Sequence, residues 1–95
     1  MADAAATVRR SGDALAFAGA LTRDAVRRLW AEAGPLRAGA TRLDLTAITA
    51  IDSAGLALLG ALSDDGRVAV DGTPPGLADL RSAYRLAPSL AFAAA

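Results

Sequence analysis

The feature that most constrains this chain is the close alternation of short extended patterns with amphipathic helical ones. Thr7–Arg10 and Ala14–Ala18 are two extended pieces, and Ser11-Gly12-Asp13 between them supplies the turn chemistry of a hairpin. Thr22 then opens a helical stretch with Asp24 in its first turn. Val26, Leu29, Trp30 and Ala33 recur there at spacings of three and four until Gly34-Pro35 is expected to stop the helix. Arg42-Leu43-Asp44 alternates as a strand reaching at most Leu45, with Ile48 and Ile51 extending the apolar character towards a turn.

Leu56, Leu58, Leu59 and Leu62 form a second helical stretch, closed by Ser63-Asp64-Asp65-Gly66. Arg67-Val68-Ala69-Val70-Asp71 is a third alternating segment. Pro74-Pro75-Gly76 opens a last helix carrying Leu77, Leu80 and Tyr84. The order is β-β-α-β-α-β-α, which implies one sheet with helices packed on it. No repeat or linker divides the chain, so its 95 residues are read as a single domain with one core. Order is expected to begin near Thr7, after a frayed start. The apolar tail from Pro88 to Ala95 is left open between a helical turn and disorder.

Composition narrows the chemistry. Zero Cys and zero His remove thiol catalysis, disulfides, soft metal sites and the neutral-pH acid/base switch. Asp64-Asp65 and Asp71 do not form a spaced calcium loop, so no metal is expected. A Ser53 hydrolase would need a base, and only a carboxylate is on offer, because all ten basic residues are Arg. No enzyme and no cofactor is expected.

Ten Lys+Arg cancel ten Asp+Glu, so no global field recruits nucleic acid or an anionic membrane. Arg9-Arg10 and Arg81 with Arg85 are small clusters only, and nucleic-acid binding is not expected. No apolar run approaches a membrane span and no basic start precedes an apolar stretch, so the chain is read as cytoplasmic.

The informative segment is Ile51-Asp52-Ser53-Ala54-Gly55-Leu56, where polar residues stand at the mouth of an apolar helix. Asp52 or Ser53 can accept from the free backbone N–H groups of that helix as an ordinary N-cap. Gly55 leaves backbone bare for close approach by another group. The alternative is an exposed recognition point. The helix behind it carries Ala57, Gly60 and Ala61, a flat side on which a partner helix could lie.

Trp30, on an amphipathic helix, is expected in or near the core; on an open helix it would instead anchor a partner. Arg27 and Arg28 with Glu32 are read as spaced pairs on the solvent face, worth about 0–1 kcal/mol.

This signature, preceded by Leu43-Asp44-Leu45-Thr46, resembles that of STAS domains, the sulfate-transporter and anti-sigma-factor-antagonist fold. The resemblance covers roughly Thr7 to Leu86. It includes Leu15-Ala16-Phe17-Ala18-Gly19, Leu29-Trp30, Val68-Ala69-Val70-Asp71-Gly72 and Tyr84-Arg85-Leu86. Within the family, Leu29-Trp30 and the run from Asp52 to Leu59 look like the short MlaB-type domains.

The resemblance implies a small α/β domain with a central mixed β-sheet. It also implies a non-enzymatic protein that binds the ATPase subunit (MlaF-like) of an ABC-type phospholipid transporter. That complex would include an MlaE-like permease and an MlaD-like lipid-binding subunit, and it would maintain outer-membrane lipid asymmetry. The domain would sit peripherally at the inner membrane through the complex, without membrane insertion. The family's hydroxyl residue carries over to Ser53 and its Asp to Asp52, with Ala54, Gly55 and Leu56 completing the contact and Trp30 as a further anchor. The alternative within the family is an anti-sigma-factor antagonist regulated by Ser phosphorylation. Its usual second Ser is Ala54 here, which leaves Ser53 as the possible phosphorylation site.

Overall fold

The computed structural model describes residues 6–63 and 68–85. Seven elements follow in order: β1 (Thr7–Ser11), β2 (Ala14–Leu21), α1 (Arg23–Leu36), β3 (Arg42–Ile51), α2 (Ser53–Leu62), β4 (Ala69–Asp71) and α3 (Leu77–Tyr84). This is the expected order. The expected frayed start, the Asp64-Asp65-Gly66 turn, Arg67, and the tail from Leu86 fall outside the described residues, apart from Ala6 and Thr7.

The four strands form one sheet in the order β1-β2-β3-β4, with β1 antiparallel to β2 and the other pairs parallel. A two-residue turn at Gly12-Asp13 joins β1 to β2, and Ser11 belongs to the strand, paired with Ala14. α1 and α2 are successive crossovers that advance the sheet in one direction. Right-handed crossovers of that kind place their helices on the same face. Accordingly α1 contacts β1, β2 and α2, while α2 contacts β3 and α3.

Phe17, Leu15, Leu21, Leu43 and Leu45 from the sheet meet Leu29, Leu59 and Leu77 from the helices in one core, each essentially inaccessible. The other face of the sheet carries Arg9, Arg42, Asp44 and Asp71 around small residues of β2.

Two expectations were too short, for reasons visible in the packing. The third strand runs on to Ile51 because β2 offers it a long parallel partner. Apolar residues on β3 fall at Leu43, Leu45, Ile48 and Ile51, spaced two, three and three, against an even spacing of two on β2. A strand keeps such residues on one face only by inserting an extra residue at each wide gap. The register indeed slips twice, between Ala16 and Ala18 and between Gly19 and Ala20 of β2, so β3 is two residues longer over the same rise. At the first slip Leu45 and Thr46 together oppose Phe17. The Thr46 N–H and hydroxyl donate instead to Asp44 Oδ1, at 3.0 and 2.7 Å.

The first helix passes through Gly34-Pro35 and ends at Leu36. Proline in the last turn forfeits a single intrahelical bond. Beyond it the Arg10 guanidinium, reaching from β1, donates to the carbonyls of Leu36 and Ala38 at 2.8 and 2.7 Å. Those carbonyls would otherwise be the open end of the helix.

Trp30 departs from the core expectation. It is 48% exposed, because Val26, Leu29, Ala33 and Leu36 already fill the inward stripe of α1.

Candidate functional site

The site is built where the C-terminal end of β3 delivers Asp52 to the start of two helices. Asp52 is the N-cap of α2, with extended backbone (φ −116°, ψ −175°). Its Oδ1 accepts from the Gly55 N–H at 2.9 Å. Its Oδ2 accepts from the Arg23 N–H, the first residue of α1, also at 2.9 Å. One carboxylate therefore satisfies open donors at two helix N-termini. This capping matters for α1, since the side chain of its own N-cap, Thr22, makes no capping bond.

Half-burial of Asp52 works to raise its pKa by desolvation. The hydrogen bonds from Gly55, Arg23, Ala54 and its own backbone outweigh that, and the carboxyl is held below its ordinary range. Asp44 is also lowered, first by the Thr46 hydroxyl and then by the Thr46 N–H.

The rest of the signature separates into buried and exposed residues. Gly55 is buried, and a Cβ there would overlap the Leu21 carbonyl oxygen and come within 3.0 Å of the Ile51 side chain. The bare backbone at Gly55 thus admits the end of β2, and the approaching group belongs to this chain. Leu56, expected in the partner contact, is 4% exposed and lies in the core cluster. Its burial follows from the helical period, which places it inward with Leu59. Ala54 is half-buried. Ser53, the first residue of α2, is exposed, so its hydroxyl is the part of the signature offered outward. Ala57 and Ala61, one and two turns further, are exposed on the same side, with Gly60 half-buried.

Trp30 is brought to this side of the molecule. Arg28 points the other way, donating to the Ala6 carbonyl at the start of β1 (2.6 Å) and pairing with Glu32 at 3.2 Å. With 100° per residue, Trp30 lies on the opposite flank, the one towards α2. Three contacts agree with this. The Arg23 N–H meets Asp52, the Arg37 guanidinium sits 5.9 Å over the Trp30 ring, and Arg37 lines a cleft of about 230 Å³ with Leu62 at the end of α2. Arg27, expected to share Glu32, has no carboxylate within ion-pair distance among the described residues.

What composition alone did not reveal is the double cap. Only the coincidence of an Asp after a strand and a helix starting at Arg23 hints at it, and that needs the parallel register of β2 and β3.

The described residues hold no cluster of three or more acidic or imidazole groups able to bind a metal. No helix among them is long and apolar enough to cross a membrane. Ser53 is thus exposed beside the capped Asp52, and Trp30 is exposed on the flank of α1 towards α2. A family model described as "Mlab, STAS domain" matches residues 5–90. No curated protein matches the chain.

Proposed function

Because the chain belongs to the STAS domain family of the MlaB type, we propose that it is a non-catalytic accessory subunit of an ABC-type phospholipid transporter. In this reading it docks on the cytoplasmic ATPase subunit, within a complex that also holds the permease and the lipid-binding subunit. The observation that carries the reading is the exposure of Ser53, while the residues that follow it turn into the core. Capping, close packing and the core account for Asp52, Gly55 and Leu56 and set no requirement at Ser53. Trp30, exposed on the flank of α1 that faces α2, adds the kind of aromatic anchor that dominates binding energy at interfaces.

The domain performs no chemistry. It binds the assembled, competent ATPase more tightly than other states and so shifts the population towards it. Ala54 favours this reading over an anti-sigma-factor antagonist, because the position usually phosphorylated in those proteins lacks a hydroxyl here.

The test is co-purification of the tagged full chain from native cytoplasmic and membrane extracts, wild type against Ser53→Arg. Recovery of an ABC ATPase with its permease, lost in Ser53→Arg while circular dichroism shows a folded domain, is the expected result. Recovery of a kinase-type anti-sigma factor in its place overturns the proposal. Trp30→Ala is expected to weaken the same complex by about 2 kcal/mol, read as affinity for the recovered ATPase.

A further inference from the structure

We infer that the partner surface received by this domain is acidic, and that it lies along the flank of α1 that carries Arg23, Arg27, Trp30 and Arg37. This rests on the docking role proposed above and deepens it by giving the chemistry of the partner.

The charges of α1 and its C-cap are segregated. On the flank towards β1, Arg28 is neutralised by Glu32. On the outer flank towards α2, Arg23, Arg27 and Arg37 have no carboxylate within 4.0 Å among the described residues. Three guanidiniums thus stand without a carboxylate partner among the described residues along 14 residues of rise, about 21 Å of helix.

Folding does not account for this placement. Arg23 is the first residue of α1, at the positive end of the helix dipole, where a cation is unfavourable by about 0.3–1 kcal/mol. Acidic groups were available to the same helix, yet Glu32 lies on the other flank.

Arg37 shows what the row is suited to bind. Lying 5.9 Å over the Trp30 ring, its guanidinium is steered by a cation–π contact, and its N–H groups make no side-chain hydrogen bond among the described residues. A guanidinium edge matches a carboxylate bidentately, and guanidinium is shed of water more cheaply than ammonium. The indole supplies apolar contact in the middle of the row. A carboxylate-bearing segment of the ATPase, about as long as α1, fits this surface in charge and length. A lipid headgroup layer fits it less well, because Trp30 is the sole large apolar side chain exposed on α1.

The experiment measures the affinity of the full chain for the recovered ATPase at about 0.1 M and about 1 M salt, over which the screening length falls from about 10 Å to about 3 Å. Wild-type binding is expected to weaken at least tenfold at high salt. The double variant Arg27→Glu/Arg37→Glu is expected to lose roughly a hundredfold at low salt and most of its salt dependence. Arg9→Glu, on the sheet face away from α1, is expected to bind within about twofold of wild type. Arg27→Gln, which removes charge without reversing it, is expected to fall between.

Thermal melts confirm that each variant folds. Undiminished binding by the double variant, or salt-independent binding by the wild type, overturns the inference while leaving the docking role standing. Arginine-dependent binding to phosphatidylglycerol vesicles, with ATPase binding unaffected by the same variants, overturns it in favour of a membrane. Failure of the wild type to retain the ATPase at all overturns the docking role and this inference together.

Discussion

The two ends of the domain are held by different devices. At the end where the helices begin, one half-buried carboxylate receives backbone N–H groups from α1 and α2. At the other end, beside backbone bonds such as that from the Thr41 N–H to the Asp13 carbonyl at 2.8 Å, the side-chain closures use long, charged side chains. Arg42 lies between Asp13 at 3.7 Å and Asp71 at 3.2 Å, with all three side chains about half exposed. Arg10 reaches across to the last carbonyls of α1. Backbone donors are already in place when the helix forms, so a carboxylate that meets them loses little entropy. Paired long side chains must be ordered for each other, and water screens what they gain. The side-chain closure at the end that carries Ser53 is therefore the less costly one to form.

This contrast is most severely tested by Gly55→Ala. The added methyl group meets the Leu21 carbonyl, which neither backbone can avoid without moving α2 off the sheet, and a loss of about 3 kcal/mol is expected in urea unfolding. Asp52→Ala removes both caps and is expected to cost about 2 kcal/mol, with amide exchange quickening at Arg23 as well as at Gly55. Quickening at Gly55 alone would show that α1 does not depend on the shared carboxylate.

The pH dependence has a definite sign. Asp52 and Asp44 have folded pKa values below their ordinary range, so their contribution is complete above the unfolded value of about 3.9 and is lost as pH falls through the folded value. Acid unfolding of Asp52→Asn should therefore be shallower than that of wild type. At the other end, Arg42→Ala is expected to cost no more than about 1 kcal/mol, and a larger loss would erase the distinction between the two ends.

Much of this was legible in the residues. Turn chemistry at Gly12-Asp13, the period of Val26, Leu29 and Ala33, and the Pro-Gly opening of α3 all act locally, and they placed the elements in the right order. The family signature singled out the segment that holds the double cap. What escaped depends on partners distant in sequence. The full length of β3 needs β2 beside it, and the passage of α1 through Pro35 needs Arg10 from another strand.

Asp52, Gly55 and Leu56 each have a structural role, in capping, close packing and the core. Trp30 was misplaced because amphipathic spacing does not tell an edge of the apolar stripe from its centre.

The two slips in β3 also determine which changes of length the chain can tolerate. Between Leu43 and Asp52 the strand acts as a ruler with two extra divisions. Removing an extra residue, such as Ala47, would leave Leu45, Thr46 and Ile48 in regular alternation with Ile48 still inward, whereas removing Asp44 would make Leu43 and Leu45 adjacent and turn one of them outward. Substitutions at the exposed Ala47 or Thr49 leave the count intact. For this stretch the place of a deletion matters more than the identity of the exposed residues.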